Sequence, residues 1–412
     1  ILSSFFGSTT ASGTLEIRPL TTTSTTGGLT TSATSAAPVT VASSRTYNQT
    51  ATGTFGQYIP AIPFSQFIGK SSSEGARTVL SLQQIAQSQA FRTNLGLVEG
   101  SGEPASVLLS VFDGAGKKVG EIPVSLLPGE HRQINSILEA NGITLTDGRI
   151  EVEVTSDTGK VTAYASTVDN RTNDPLLVSP VPRAAQTSTK FVLPGMADLP
   201  EPNDFRSDIR LFNAGSSSIT VTPAYYAQGS TAPRSGQPLT IAPGEVKAID
   251  DVLPTLFGVT SSGGSIVLTT SEPAALVATG RTFSTDANGG TYGQFIPGVT
   301  PDESAVLGGR ALQILQLEHS SRFRTNIGLA ETSGNAATVE VSVTLPDSKV
   351  TPKVTIPLAA NEFRQISLGD FGLTDVYNAR VTVKVVAGSG RVAAYGSVID
   401  QVTADPTYVP AQ

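Results

Sequence analysis

Apolar and polar residues alternate over much of this 412-residue chain. Val339, Val341, Val343 and Leu345 fall on one side of a period-two pattern, with Thr338, Glu340, Ser342 and Thr344 on the other. Ile150, Val152 and Val154 alternate with Glu151 and Glu153, and Val381, Val383 and Val385 with Thr382 and Lys384. Successive side chains of a strand point to opposite faces, so the pattern predicts antiparallel strands with one face on a core and the other in water. Turn residues separate the runs: Asp113-Gly114-Ala115-Gly116, Asp157-Thr158-Gly159, Pro243-Gly244 and Gly388-Ser389-Gly390. Roughly seven short strands per unit, with turns every 8–12 residues or so, read as β-sandwiches. Leu80 to Ala90 fits either a helix or a strand with a polar face. The expected fold class is all-β, a tandem array of antiparallel β-sandwich modules.

Internal repeats organise the array. Phe91-Arg92-Thr93-Asn94-Leu95-Gly96-Leu97 returns 232 residues on as Phe323-Arg324-Thr325-Asn326-Ile327-Gly328-Leu329, with a weaker copy at Phe205-Arg206-Ser207-Asp208-Ile209. Phe55-Gly56-Gln57-Tyr58-Ile59-Pro60 returns as Tyr292-Gly293-Gln294-Phe295-Ile296-Pro297. Ala163-Tyr164-Ala165-Ser166 through Asp174-Pro175 returns as Ala394-Tyr395-Gly396-Ser397 through Asp405-Pro406. Two module types alternate: type A at 1–63, type B at 64–183, type A at 184–300 and type B at 301–412. Phe6-Gly7 and Gly13 match Phe257-Gly258 and Gly264, so Ile1 aligns with position 252 and the first module reads as the C-terminal half of a type-A unit. It carries a Thr/Ser insertion, Thr21 to about Ala37, that reads as a flexible or glycan-bearing loop. The chain opens on Ile1 and its one methionine is Met196, which reads as a start behind a processing site or within a longer precursor.

Composition narrows the function. Charged residues make up 15% and the net charge is −7, with no Lys/Arg cluster, which argues against nucleic acid and anionic membrane surfaces as partners. The chain has no cysteine, so disulfides, thiolate metal sites and cysteine nucleophiles are excluded. No apolar run reaches the roughly 18 residues of a membrane span.

The Phe-Arg-Thr-Asn-x-Gly-Leu strand and the Gly-Gln-aromatic-Ile-Pro segment resemble repeats of large secreted multidomain bacterial proteins. More broadly the array resembles immunoglobulin-like modules of bacterial surface proteins. The resemblance implies an extracellular location and a stalk, adhesive or fibre role. It brings no functional residue with it.

Candidate chemistry is sparse. A Ser/His/Asp arrangement would need His131 or His319, the only histidines. Glu130-His131-Arg132-Gln133-Ile134 matches Glu362-Phe363-Arg364-Gln365-Ile366, so His131 reads as filling a strand position. Asp169 and Asp174, and likewise Asp400 and Asp405, are acids five apart that could offer oxygen ligands to calcium; capping of the Asp-Pro turn is the competing reading. Phe91, Phe205 and Phe323 read as core anchors, and the arginines after them, Arg92, Arg206 and Arg324, as cross-strand partners of acids. Asn48 and Asn170 lie in N-glycosylation sequons, and Thr21, Thr22 and Thr23 are O-glycan candidates.

These features predict a non-enzymatic extracellular protein without cofactors, a subunit of a filament, sheath or surface array. Its expected partner is itself, head to tail, with glycans or other surface proteins as further partners and no membrane insertion. The alternative is a set of adhesin or carbohydrate-binding modules in a larger secreted protein. The modules are expected to be independent and end to end, with Ile59-Pro60 and Ile296-Pro297 as stiff linkers. The half module is expected to have Leu15–Ile17 and Val39–Ser43 in paired strands and an edge completed by a second chain, the competing reading being that the missing half belongs to the same precursor.

Overall fold

The computed structural model describes residues 2–7, 12–17, 24–26, 29–31, 41–51, 53–70, 79–182, 187–351 and 353–412. One helical turn, α1 (Leu2–Phe6), precedes two hairpins, β1 (Ser24–Thr26) with β2 (Leu29–Thr31) and β3 (Ser43–Thr50) with β4 (Gly53–Pro60). Three β-sandwiches follow. Each has two antiparallel sheets, so the fold is an all-β tandem sandwich array.

The first sandwich, B1, comprises β5 (Val79–Gln87), β6 (Phe91–Glu99), β7 (Ala105–Asp113), β8 (Lys118–Leu126), β9 (His131–Ile134), β10 (Leu145–Val154), β11 (Val161–Asp169), β12 (Pro175–Val178) and β13 (Val181–Pro182). Its sheets run β13-β5-β10-β7-β8 and β12-β11-β6-β9. The second, A2, comprises β14 (Ser188–Asp198), β15 (Arg206–Asn213), β16 (Ile219–Ala227), β17 (Arg234–Ser235), β18 (Leu239–Ile241), β19 (Val246–Ile249), β20 (Ser262–Ala274), β21 (Leu276–Thr285) and β22 (Thr291–Pro297). Its sheets run β14-β20-β16-β17, with β18 also on β16, and β19-β15-β21-β22. The third, B2, comprises β23 (Leu312–His319), β24 (Phe323–Glu331), β25 (Ala337–Thr344), β26 (Val354–Leu358), β27 (Phe363–Ser367), β28 (Val376–Gly388), β29 (Val392–Asp400) and β30 (Pro406–Pro410), in sheets β23-β28-β25-β26 and β27-β24-β29-β30.

The two-residue period fills the cores. Along β25 burial alternates residue by residue, with Val339, Val341 and Val343 fully buried against Val381, Val383 and Val385 of β28. Burying each such side chain stabilises by about 1.5–3 kcal/mol. The ambiguous stretch is strand β5 from Leu80 to Gln87 and a bend over Ser88–Ala90, with a bulge opposite Arg149 at which Gln84 takes φ +55°. Strand β23 repeats the bulge at Gln316, φ +58°.

The modules do not lie end to end. Strands β4, β12, β22 and β30, one from each repeat unit, converge on one another and line a common central cleft. Ile59-Pro60 and Ile296-Pro297 are therefore ends of paired strands in that cluster and not linkers. The reason is chemical: these strands offer backbone donors and apolar faces that the type-B sandwiches bury. The equivalent residues Phe55 and Tyr292 meet, with ring centroids 5.9 Å apart.

The half module also departs from expectation. Leu15 and Ile17 are exposed and outside any strand, at 52% and 53%. Val39 and Thr40 lie outside the described residues, while Ser43 pairs with Pro60. Leu15 and Ile17 align with Ile266 and Leu268, which are buried in β20 between β14 and β16. No flanking strands of that kind accompany Leu15–Ile17 among the described residues.

Candidate functional site

The repeat markers meet at two equivalent junctions, where a type-A hairpin docks on a type-B sandwich. At the A2–B1 junction, Asp169 Oδ2 accepts from the Thr291 N–H (3.0 Å) and hydroxyl (2.7 Å), and Asp174 Oδ2 from the Gly293 N–H (2.8 Å). Thr172 Oγ1 donates to the Thr291 carbonyl (2.8 Å). The other junction joins the N-terminal hairpin to B2 in the same way. Asp400 Oδ2 accepts from the Thr54 N–H and hydroxyl (2.8 Å each), Asp405 Oδ2 from the Gly56 N–H (3.1 Å), and Thr403 Oγ1 donates to the Thr54 carbonyl (2.9 Å).

The strand bulges serve these junctions. A bulge re-aims a side chain out of the alternating pattern. Gln84 Nε2 reaches Thr279 Oγ1 on β21 (3.1 Å), and Gln316 Nε2 reaches the Ser43 carbonyl on β3 (3.0 Å). Arginine stacking completes each docking: Arg281 lies over Phe91 (5.2 Å to the ring centroid) and Arg45 over Phe323 (5.6 Å). One further bond ties each hairpin to the other type-B module, Ser166 Oγ to Gln57 Oε1 and Ser397 Oγ to Gln294 Oε1, both 3.1 Å. The glycines are fixed by close approach. A Cβ on Gly56 would lie 2.3 Å from the Thr46 carbonyl, and one on Gly293 would lie 2.9 Å from Arg281 Nε.

The electrostatics follow from burial. Desolvation pushes Asp174 up to about 8, although the Gly293 N–H and the charge of Arg281 oppose it. Desolvation likewise raises Asp405 well above the usual carboxylate range, and the Asp174 charge adds to it. Oδ1 of each takes no hydrogen bond among the described residues. Burial also pulls the Arg281 guanidinium below its usual value, against the pull of Asp208, Asp174 and Asp169.

The two acid pairs are thus brought together with hairpin donors. Asp169 and Asp400 have both oxygens filled by N–H and hydroxyl donors, Oδ1 facing Arg171 and Thr172 in one turn and Val402 and Thr403 in the other. That fits turn capping and docking in place of calcium binding. No group of three or more candidate metal ligands occurs among the described residues.

Of the proposed anchors, Phe323 is buried in the B2 core and Phe205 is buried in A2. Phe91 is only half-buried, and its face is given to Arg281 across the junction. Arg206 pairs with Asp204 and Asp251 (3.1 and 3.2 Å), but Arg92 bonds the amides of Asn170 and Asn173 and not an acid. Arg324 is half-buried, and desolvation lowers its pKa. His131 sits in β9 with Nε2 3.0 Å from the Tyr164 hydroxyl, and His319 Nδ1 accepts from the Thr325 N–H (3.3 Å). Asn48 is exposed on β3. Asn170 is spent on Ser88, Gln89 and Arg92, and its sequon neighbours Arg171 and Thr172 bond into A2. Thr21, Thr22 and Thr23 lie outside the described residues.

Two buried glutamates were missed by the sequence reasoning. Glu99 accepts from the N–H groups of Ser101 (2.7 Å), Gly102 (2.9 Å), Gly129 (2.9 Å) and Lys160 (3.1 Å), and from the Ser101 hydroxyl. Burial opposes ionisation, but these donors outweigh it and hold Glu99 down to about 2. Glu331 repeats the nest with Ser333, Gly334, Asn361 and Arg391. The signal was present in Glu99-Gly100-Ser101-Gly102 and Glu331-Thr332-Ser333-Gly334, acids at one repeat position followed by small turn residues.

Residues 74–307, more than half of the chain, match the model of a family described as a family of unknown function, DUF5719. No curated protein and no solved structure matches the chain. The matched span contains both sides of the Asp169–Asp174 junction.

Proposed function

The chain belongs to DUF5719, a family of unknown function, and from its own geometry we propose that it is a non-enzymatic structural protein of the cell exterior, a building block of a filament, sheath or surface array. One observation carries this reading: the acid pairs, the bulge glutamines and the hairpin arginines that recur with the repeat are consumed in joining modules. Asp169, Asp174, Asp400 and Asp405 hold hairpins, Gln84 and Gln316 bridge to them, and Arg281 and Arg45 stack across them. Both histidines have structural partners in strands. The cysteine-free, hydroxyl-rich composition suits a chain that works outside the cell.

In this reading the open edge of the half module is a joining surface, since an unpaired strand edge recruits another strand. Electron microscopy of the concentrated protein tests it, with a pull-down on insoluble polysaccharides alongside. Ordered particles without polysaccharide retention are expected. Retention on polysaccharide with no ordered assembly would replace the structural reading with that of a binding module.

A further inference from the structure

Two elements of the N-terminal half module match the second half of A2, the turn α1 and the hairpin β3–β4. The turn α1 ends at Gly7 with φ +63°, as the turn Leu253–Phe257 ends at Gly258 with φ +63°. Phe257 is 6% exposed in the A2 core, whereas the matching Phe6 is 61% exposed. The hairpin β3–β4 matches β21–β22, yet β21 is paired on its other edge by β15, from Arg206↔Phe283 to Asn213↔Leu276. Among the described residues β3 pairs only with β4.

A second surface shows the same deficit. On B2, Ala330, Phe363, Tyr395 and Tyr408 are buried in one core cluster with A2. The Gly229 N–H donates to the Phe363 carbonyl (2.9 Å), Lys190 Nζ bonds Asn361 (2.5 Å), and Gly195 of β14 leaves no room for a Cβ beside the Tyr395 hydroxyl. The matching residues of B1 are Val98, His131, Tyr164 and Leu177. His131 stacks on Tyr164 at 6.1 Å and 13°, as Phe363 does on Tyr395 at 6.5 Å and 11°. His131, Tyr164 and Leu177 are nevertheless only half-buried, and among the described residues no type-A sheet covers them.

We propose that the outer edge of β3 and the B1 face of Val98, His131, Tyr164 and Leu177 together form a docking surface for the first half of a type-A module. The occupant carries the equivalents of β14, β15 and β16. A β15-like strand pairs with β3 and brings an acid toward Arg45, as Asp208 stands toward Arg281. A β14–β16 layer covers Phe6, Leu15, Ile17 and the B1 face. The occupant is identified because a single half module, residues 188–251, covers both equivalent surfaces within A2 and B2. The B2 face that corresponds to the Arg149 contact keeps only its arginine, as Arg380, so the docking rests on β3 and B1.

The inference extends the structural reading, and the two fail separately. The probe is a copy of Ser188–Asp251 joined ahead of Ile1 in the full chain, which restores the type-A register. The amides of Arg45, Tyr47 and Gln49, which alternate with those facing β4, should exchange at least about tenfold more slowly than in the parent, because an exposed edge becomes a paired one. The same extension with Tyr164→Glu should lose most of that protection. Unchanged exchange at β3 overturns the proposal, as does protection that survives Tyr164→Glu. Sedimentation of the parent chain supplies the other arm: a dimer that protects β3 by itself would make a second copy the occupant and overturn the type-A half. Docking without any ordered assembly in the microscope would leave this surface standing and remove the structural-array function.

Discussion

Asp400 and Asp405 are five residues apart, both buried, and shifted in opposite directions. Burial raises both, but Asp400 is met by the N–H groups of Thr54, Val402 and Thr403 and by the Thr54 hydroxyl, which bring it below the usual carboxylate value. Asp405 has the Gly56 N–H alone and feels the Asp174 charge, so desolvation wins. Asp174 gives the more testable case. An unfolded aspartate ionises near pH 4, roughly, while folded Asp174 keeps its proton to about 8. Between those values the unfolded chain has lost a proton that the folded chain retains, so stability falls as pH rises through the window and levels off above it. Asp174→Asn keeps an acceptor for Gly293 and removes this dependence. Urea midpoints should therefore shift in favour of the variant progressively from pH 4 to pH 8; a constant difference would show that the carboxyl is ionised in the fold. Glu99 carries the opposite sign. Its folded value of about 2 lies below the roughly 4.3 of an unfolded glutamate. Its contribution is present above that value and is lost as pH falls through about 2. Glu99→Gln should narrow the acid-unfolding difference between pH 4 and pH 2, read by circular dichroism.

At the scale of elements, the strands were legible in the sequence and their edges were not. Alternation in β25 and β28 sets which face is buried, because a strand has only two faces, whereas β10 is buried on both faces from Gly148 to Val152, Glu151 included. The bulges at Gln84 and Gln316 left no mark in that pattern, since a bulge is an extra residue that costs the pattern one step. The junctions were half legible. The repeat singled out Phe91, Phe323 and both acid pairs, but one sequence cannot say whether a recurring residue faces its own core or its neighbour. The two phenylalanines separate these cases. Phe323 is 6% exposed within the B2 core and also carries Arg45. Its replacement by Ala should cost about 3–5 kcal/mol, the usual range for a core aromatic. Phe91 is half-buried and chiefly supports Arg281, so Phe91→Ala should cost less, about 1–2 kcal/mol for a partly desolvated stack and some lost contact. Equal losses in parallel urea titrations would mean that the two positions are equivalent anchors after all.

At the scale of the molecule, the two junctions use matching latches but unequal support. A2 and B1 share a second contact, in which Arg149, 2% exposed, lies between Phe112 (3.8 Å) and Phe212 (4.4 Å) while Arg210 pairs with Asp147. The Val246 N–H also donates to the Gly114 carbonyl (2.9 Å). The N-terminal hairpin has no such sandwich behind it among the described residues and meets B2 through β4, the Gln316 bridge and the Asp400–Asp405 latch. Cutting the acids should therefore open one junction and leave the other shut. In Asp169→Ala/Asp174→Ala the Arg149 stack keeps A2 on B1, so the scattering profile should stay compact, near the roughly 22 Å radius of gyration expected for a folded chain of this length. In Asp400→Ala/Asp405→Ala the hairpin should leave B2, exposing Phe55 and Tyr58, and exchange at Gly53–Pro60 should quicken while β22 stays protected. The burial of the replaced acids makes this a demanding test. Asp405 is buried with one oxygen unpartnered, so its loss by itself relieves desolvation and favours the closed form. Opening in the double variant must then come from the lost bonds to Thr54 and Gly56, and a β4 that remains as protected as in the parent would show that apolar burial of Phe55 and Tyr58, with the Gln316 bridge and the Arg45 stack, closes the junction without the acids.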